Sequence, residues 1–189
     1  MRLFLLSLFI ILFSCTGKKE STDQKKELNT KEKVEIGLSI ANKTQMQLAK
    51  NLVGTIQNSG TVAALEFCNE KAYPLTDEMA NKLNASIKRV SNKPRNPDNK
   101  ATEKEENLIN HFQQLIDSNS EYTPFIGTLE NGKTQFYAPI ITNGLCLQCH
   151  GSATDIRNKT LNKIKNLYPN DMAKGYSVNE VRGLWRIEY

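Results

Sequence analysis

Between Val34 and Gln57 the apolar residues Val34, Leu38, Ala41, Leu48, Leu52 and Ile56 recur at helical spacing, and Gly60 follows just past the last of them. That pattern predicts a long amphipathic helix ended by the glycine. A second helix is expected from Thr61 to Tyr73, with Ala64, Leu65, Cys68 and Ala72 along its apolar stripe and Pro74 as its stop. Cys68 therefore falls on the inward face. Thr76 is placed to cap a short third helix over Asp77–Leu83. From Ala85 to Ser91 the pattern turns to a strand, and Asn92–Asn99, broken by Pro94 and Pro97, reads as a loop. Thr102 and Glu105 form a capping-box pair ahead of Leu108, Ile109, Phe112, Leu115 and Ile116, with His111 toward the edge of that stripe. Tyr122–Leu129 and Thr134–Ala138 flank Asn131-Gly132, a strong hairpin turn. A modest helix over Asp155–Leu167 and a final strand over Arg182–Tyr189 complete the pattern. Helices and antiparallel strands are mixed, which predicts an α+β domain with a small sheet.

The N-terminus has a different composition. Leu3 to Phe13 is apolar except for Ser7, too short to span a bilayer as a helix but the right length for a signal-peptide core. It ends in Leu12-Phe13-Ser14-Cys15, which resembles a bacterial lipobox. Residues 1–14 are thus expected to be a lipoprotein signal peptide and Cys15 the acylated first residue of the mature chain; an ordinary cleaved signal is the plainer alternative. Thr16 to Lys33 is rich in Lys, Glu, Ser, Thr, Asn and Gln, so 15–33 reads as a flexible tether and 34–189 as one domain. The expected location is extracytoplasmic, anchored to a membrane on the periplasmic side through the lipid. The net charge of +5 is spread along the chain and does not suggest nucleic-acid binding.

The segment Asn143-Gly-Leu-Cys-Leu-Gln-Cys-His-Gly151 carries the clearest chemistry. Cys146-x-x-Cys149-His150 fits the attachment sequence for c-type haem. Two thiols at this spacing each add to one haem vinyl group, and the adjacent imidazole is carried beneath the porphyrin to bind iron. Three rival readings compete. A thioredoxin-like pair prefers a helix N-terminus after a buried strand, whereas the approach here reads as a Thr-Asn-Gly turn. A disulfide between neighbours leaves His150 without a role. Zinc could use Cys68, Cys146, Cys149 and His150 as a Cys3His set, although adjacent Cys149 and His150 suit one tetrahedral ion poorly. Should haem bind, the second axial ligand is open among Cys68, His111, Met46, Met79 and Met172. Arg89 and Arg95 are candidates to pair with haem propionates, against the plainer reading of solvated charge.

Several stretches together resemble a known family. They are Ala63-Ala64-Leu65-Glu66-Phe67-Cys68, then Lys88-Arg89-Val90-Ser91 leading into Pro94-Arg95-Asn96-Pro97-Asp98-Asn99, then Tyr137-Ala138-Pro139-Ile140, Cys146 to Gly151, Lys174-Gly175-Tyr176 and Val181-Arg182-Gly183. From about Ala41 to Tyr189 the chain resembles the PAS-like, single-haem c-type domain family. Its iron is ligated by one His and one Cys, and it often forms the extracytoplasmic sensor part of signalling proteins. The resemblance implies a PAS-like small antiparallel sheet flanked by helices, one covalent haem, Cys68 as the axial partner of His150, and a redox or signalling protein partner. Where that family has an acidic Gly-Asp before Arg-Gly, this chain has Asn179-Glu180-Val181.

A thiolate ligand gives electron density to the iron and favours its ferric state. The expected function is therefore low-potential electron transfer or redox sensing by a lipid-anchored mono-haem c-type cytochrome. The alternative is a haem-based sensor of NO or CO that works with a separate signalling partner; a zinc domain comes third. No catalytic acid–base pair stands out, so an enzyme is not expected.

Overall fold

A computed structural model describes residues 20–189, with side chains from Asn29 onward. Cys15 and the expected signal peptide lie outside the described residues. The first element, α1, spans Glu20–Lys82 and so begins inside the segment whose composition suggests a tether. Gly60, at φ 79° and ψ 177°, is non-helical and divides α1 into two arms, as its place after the first apolar stripe predicts. Pro74 does not stop the helix. A proline removes one backbone hydrogen bond, and here the following turns are held by Met79, buried in the core with Ala80 packed against it. Thr76 is accordingly no cap: it is buried, and its hydroxyl donates back to the Ala72 carbonyl at 2.6 Å.

The strands are β1 (Ser86–Val90), β2 (Phe125–Thr128), β3 (Thr134–Ile141) and β4 (Val181–Glu188). They form a four-stranded sheet in the order β1-β4-β3-β2, with every pairing antiparallel. The remaining helices are α2 (Glu103–Asp117), α3 (Gly144–His150) and α4 (Asn158–Leu167). The α+β class with a small antiparallel sheet and flanking helices is therefore as expected. The β2–β3 hairpin turns at Asn131-Gly132, where Gly132 takes φ 80°.

Alternation along the strands sorts side chains onto two faces. Ile87, Phe136, Ala138, Trp185 and Ile187 face α1 and pack with Ile40, Ala41 and Met79. Gly37 lets the first arm lie directly on this face, because a Cβ there would stand 2.2 Å from the Phe136 ring. Burial of each large apolar side chain contributes about 2 kcal/mol. On the opposite face Val90, Tyr137 and Leu184 meet Ile109 and Phe112 of α2. The Thr102–Glu105 capping box is present, and buried Glu105 also accepts from Arg186 at 3.0 Å. Helix α4 and the turn before it pack beside the second arm of α1, Ile156 and Ile164 against Leu65, with Thr61 and Thr160 joined by hydroxyls 2.6 Å apart. At the C-terminus the Tyr189 hydroxyl donates to the Lys33 carbonyl, tying the last strand to α1.

Candidate functional site

Strand β3 runs on past its expected end to Ile141 and delivers the chain to Asn143, the N-cap of α3. The Asn143 side chain accepts from the amides of Leu145 at 3.0 Å and Cys146 at 3.3 Å. The approach to the cysteines is thus strand, cap and helix, where an irregular turn was expected. That removes the geometric objection to a thioredoxin-like pair, although such a pair gives no role to a histidine directly after the second cysteine. Burial pushes the Cys149 thiol up to about 11. Cys68, Cys146 and Cys149 form no disulfide in this structure. Gly151 closes the motif because a Cβ there would stand 2.7 Å from the Leu147 carbonyl oxygen and from the Asp155 Cβ.

His150 is held from one side. Its Nδ1 lies 2.8 Å from the carbonyl oxygen of Ala173. A carbonyl only accepts, so Nδ1 carries the proton and Nε2 keeps its lone pair free. Burial lowers the imidazole well below its ordinary pKa, and the Arg182 and Arg95 charges add to that, against the Ala173 hydrogen bond. The ring is therefore neutral, the form a metal ion takes. Arg182 Nε stands 3.4 Å from the protonated Nδ1, donor to donor, so the arginine acts on the ring by disfavouring its charged form. The segment after Asp171 clasps the helix end: Gly175 N–H donates to the Gly151 carbonyl at 2.8 Å and Tyr176 N–H to that of His150 at 3.0 Å.

Above α3 lies a cavity of about 320 Å³ lined by Cys68, Cys146, Cys149 and His150 together. Its walls come from the second arm of α1 (Ala64, Leu65, Cys68, Ala72), the α1 face of the sheet (Arg89, Ile140, Gly183) and α3. The inward stripe thus places Cys68 as the sequence predicts. Burial raises its thiol, opposed by the charges of Arg89 and Arg95. His111 is exposed on α2, Met46 and Met172 are exposed, Met79 is in the core, and none of them lines this space. Among the described residues no three Cys, His, Asp or Glu side chains gather closely enough to hold one ion, so the geometry gives the Cys3His zinc reading no support.

The lining holds three arginines, Arg89, Arg95 and Arg182, and no carboxylate. Arg95 is committed to the protein: its guanidinium pairs with Asp171 at 3.1 Å and donates to the carbonyls of Cys149 at 2.6 Å and Ala173 at 3.2 Å. Arg182 donates to Ser91 Oγ at 2.8 Å and lies over the Tyr176 ring. Burial lowers the Arg89 pKa, with Cys68, Tyr73 and Tyr168 as the groups that counter it. Arg182, Asp171, Tyr73 and Tyr168 were not singled out as functional from sequence. Asp171 carries no motif at all, and its role emerges only when the chain folds it onto Arg95.

Residues 19–189 match the sequence profile of the Tll0287-like family. This chain belongs to that family. Its fold also matches a solved structure titled "Crystal structure of the cyanobacterial heme-protein Tll0287", with a TM-score of 0.59 and 21% sequence identity over 84% of this chain and 94% of that one. At that identity the likeness shows the fold. No curated protein matches the chain. In this Tll0287-like protein no helix among the described residues is long and apolar enough to cross a membrane.

Proposed function

We propose that this Tll0287-like protein is an exported, lipid-anchored c-type cytochrome with one haem, attached through Cys146 and Cys149 and ligated by His150 and Cys68. Its role is low-potential electron transfer or redox sensing outside the cytoplasm, with a protein partner and no enzymatic activity of its own. The observation that carries this reading is the convergence of those four residues on one cavity. Charge supports it as well. Three lining arginines face one carboxylate, Asp171, so two cations remain for the two propionates of a haem. Arg89 has no hydrogen-bond or ion-pair partner among the described side chains and is the natural propionate site. Arg95 is already occupied by Asp171 and backbone carbonyls, so it serves the His150 wall.

Haem would supply the redox-active iron. The chain supplies the rest: Nε2 of a neutral His150, oriented through Ala173, on one side, and the sulfur of Cys68 on the other. Expression with the c-haem maturation machinery, followed by haem staining and Soret absorbance, tests the reading. A chain with no stained band and no Soret peak ends it.

A sensor of NO or CO is the second reading, favoured by one feature. Cys68 shares its wall of the cavity with the apolar Ala64, Leu65 and Ala72, which suits a small neutral gas there should the sulfur leave. A ferrous spectrum unchanged under CO would remove it.

A further inference from the structure

The Pro94–Asn99 loop touches both walls of the cavity at once. On the His150 wall, Arg95 bonds Asp171 and the carbonyls of Cys149 and Ala173, and the Pro94 carbonyl accepts from Met172 N–H at 3.1 Å. On the Cys68 wall, the neighbouring residue Asn96 donates from Nδ2 to the Tyr73 hydroxyl at 3.0 Å, and Tyr73 lies on the same arm of α1 as Cys68. Between these grips the loop is stiff. Pro94 and Pro97 fix their φ angles, Asn96 Oδ1 accepts from Asp98 N–H at 3.0 Å, and Asn99 N–H donates to the Asn96 carbonyl at 3.0 Å. Its end is tied to β1, where Ser91 N–H donates to Asn99 at 2.8 Å and Ala101 N–H to Ser91 at 2.9 Å.

Two elements that share one rigid link cannot separate without breaking it. We infer that the Pro94–Asn99 loop is a spacer that fixes the separation of the Cys68 helix from His150 and thereby how firmly Cys68 holds its partner. The inference rests on the reading of Cys68 and His150 as the axial pair. Arg95 and Asn96 are positioning residues: neither needs to touch the cofactor. The loop then explains why an Arg-Asn-Pro stretch so far from Cys146–His150 belongs to the same site.

Tyr73→Phe cuts the link at the Cys68 wall and leaves the loop's own hydrogen bonds intact. Arg95→Gln cuts it at the His150 wall, with Arg95→Lys as a milder variant should the glutamine fail to fold. Two readouts are taken on the full chain. With haem loaded, the rate of CO binding by the reduced protein reports how easily the sulfur is displaced. Without haem, amide hydrogen exchange at Cys68–Ala72 and at Cys149–Gly151 reports the link itself. Tyr73→Phe should raise both rates about tenfold, the scale of one lost hydrogen bond, and Arg95→Gln, which loses its bonds to Asp171, Cys149 and Ala173, should raise them further. Because the two cuts lie in series, the double variant should exceed the larger single variant by little. Additive effects, or a Tyr73→Phe chain that matches wild type in exchange at both walls, would overturn the spacer. A wild type that takes up no haem would overturn the axial-pair reading, while the exchange measurement still decides whether the link exists.

Discussion

His150 donates its Nδ1 proton to the carbonyl of Ala173 across 2.8 Å, so a backbone segment orients the ring, with Tyr176 edge-on beside it. That segment depends on Gly175, which takes φ +78°. An alanine there is strained by about 1 kcal/mol, with the cost falling on the two backbone bonds that clasp α3. Gly175→Ala should lower the thermal midpoint by a few degrees and loosen His150. Differential scanning calorimetry, with the His150 ring signals followed by NMR, checks both.

Gly183 meets β1 more closely than any other residue type allows. A Cβ there would stand 2.2 Å from the Val90 carbonyl oxygen, which is backbone and cannot rotate away. Gly183→Ala should push β4 from β1 at the cavity wall and destabilise the fold by on the order of 3 kcal/mol, readable in urea denaturation.

Cys68 is the one candidate partner for His150 that lines the cavity. In haem-loaded protein Cys68→Ala should abolish the low-spin ferric signal in electron paramagnetic resonance, while His111→Ala and Met172→Ala leave it unchanged. A surviving signal in the alanine variant would rule the sulfur out. Stability should fall by about 1 kcal/mol or less, since the side chain is small and its site is open to the cavity.

On the far face of the sheet Glu105 joins a cap to an ion pair. Its carboxylate accepts from Thr102 N–H at 2.9 Å and from Arg186 at 3.0 Å. Glutamine keeps the cap and weakens the pair, whereas alanine loses both. Arg186 retains 27% side-chain exposure, so its stranded charge is partly screened. Expected losses are about 1 kcal/mol for Glu105→Gln and about 2 kcal/mol for Glu105→Ala.

Alkaline stability should carry the mark of Tyr137. Burial, then the Glu105 charge, pushes its phenol up to about 12. The folded value lies above the unfolded one of about 10, so this contribution is fully present below pH ~10 and is lost as pH rises from there through about 12. Tyr137→Phe should flatten that part of the stability curve, measured by denaturation between pH 9 and 11.

Features whose causes are local could be read in the chain. The Thr102–Glu105 box, the Asn131-Gly132 turn, the break at Gly60 and the inward stripe of Cys68 each depend on residues a few positions apart. Pro74 misled because its helix is held by Met79 in the core, a tertiary fact that overrides the local rule. The asparagine before α3 reads as part of a turn because a cap and a turn use the same residue. Arg95 looked like a free charge because its partner, Asp171, reaches it only through the fold. The motif named one wall of the site; the cations and tyrosines around it come from distant segments with no pattern of their own.

The cavity also bears on how the protein matures. A chain that folds around an opening of about 320 Å³, with two arginines lacking a carboxylate partner, lacks packing where α1, α3 and the sheet should brace one another. Filling that space with a flat, dianionic, largely apolar group would supply the contacts and the charge together. Molecules with and without such a group would then differ in rigidity along the whole Cys68 arm, and proteases would have a physical basis for removing those without it.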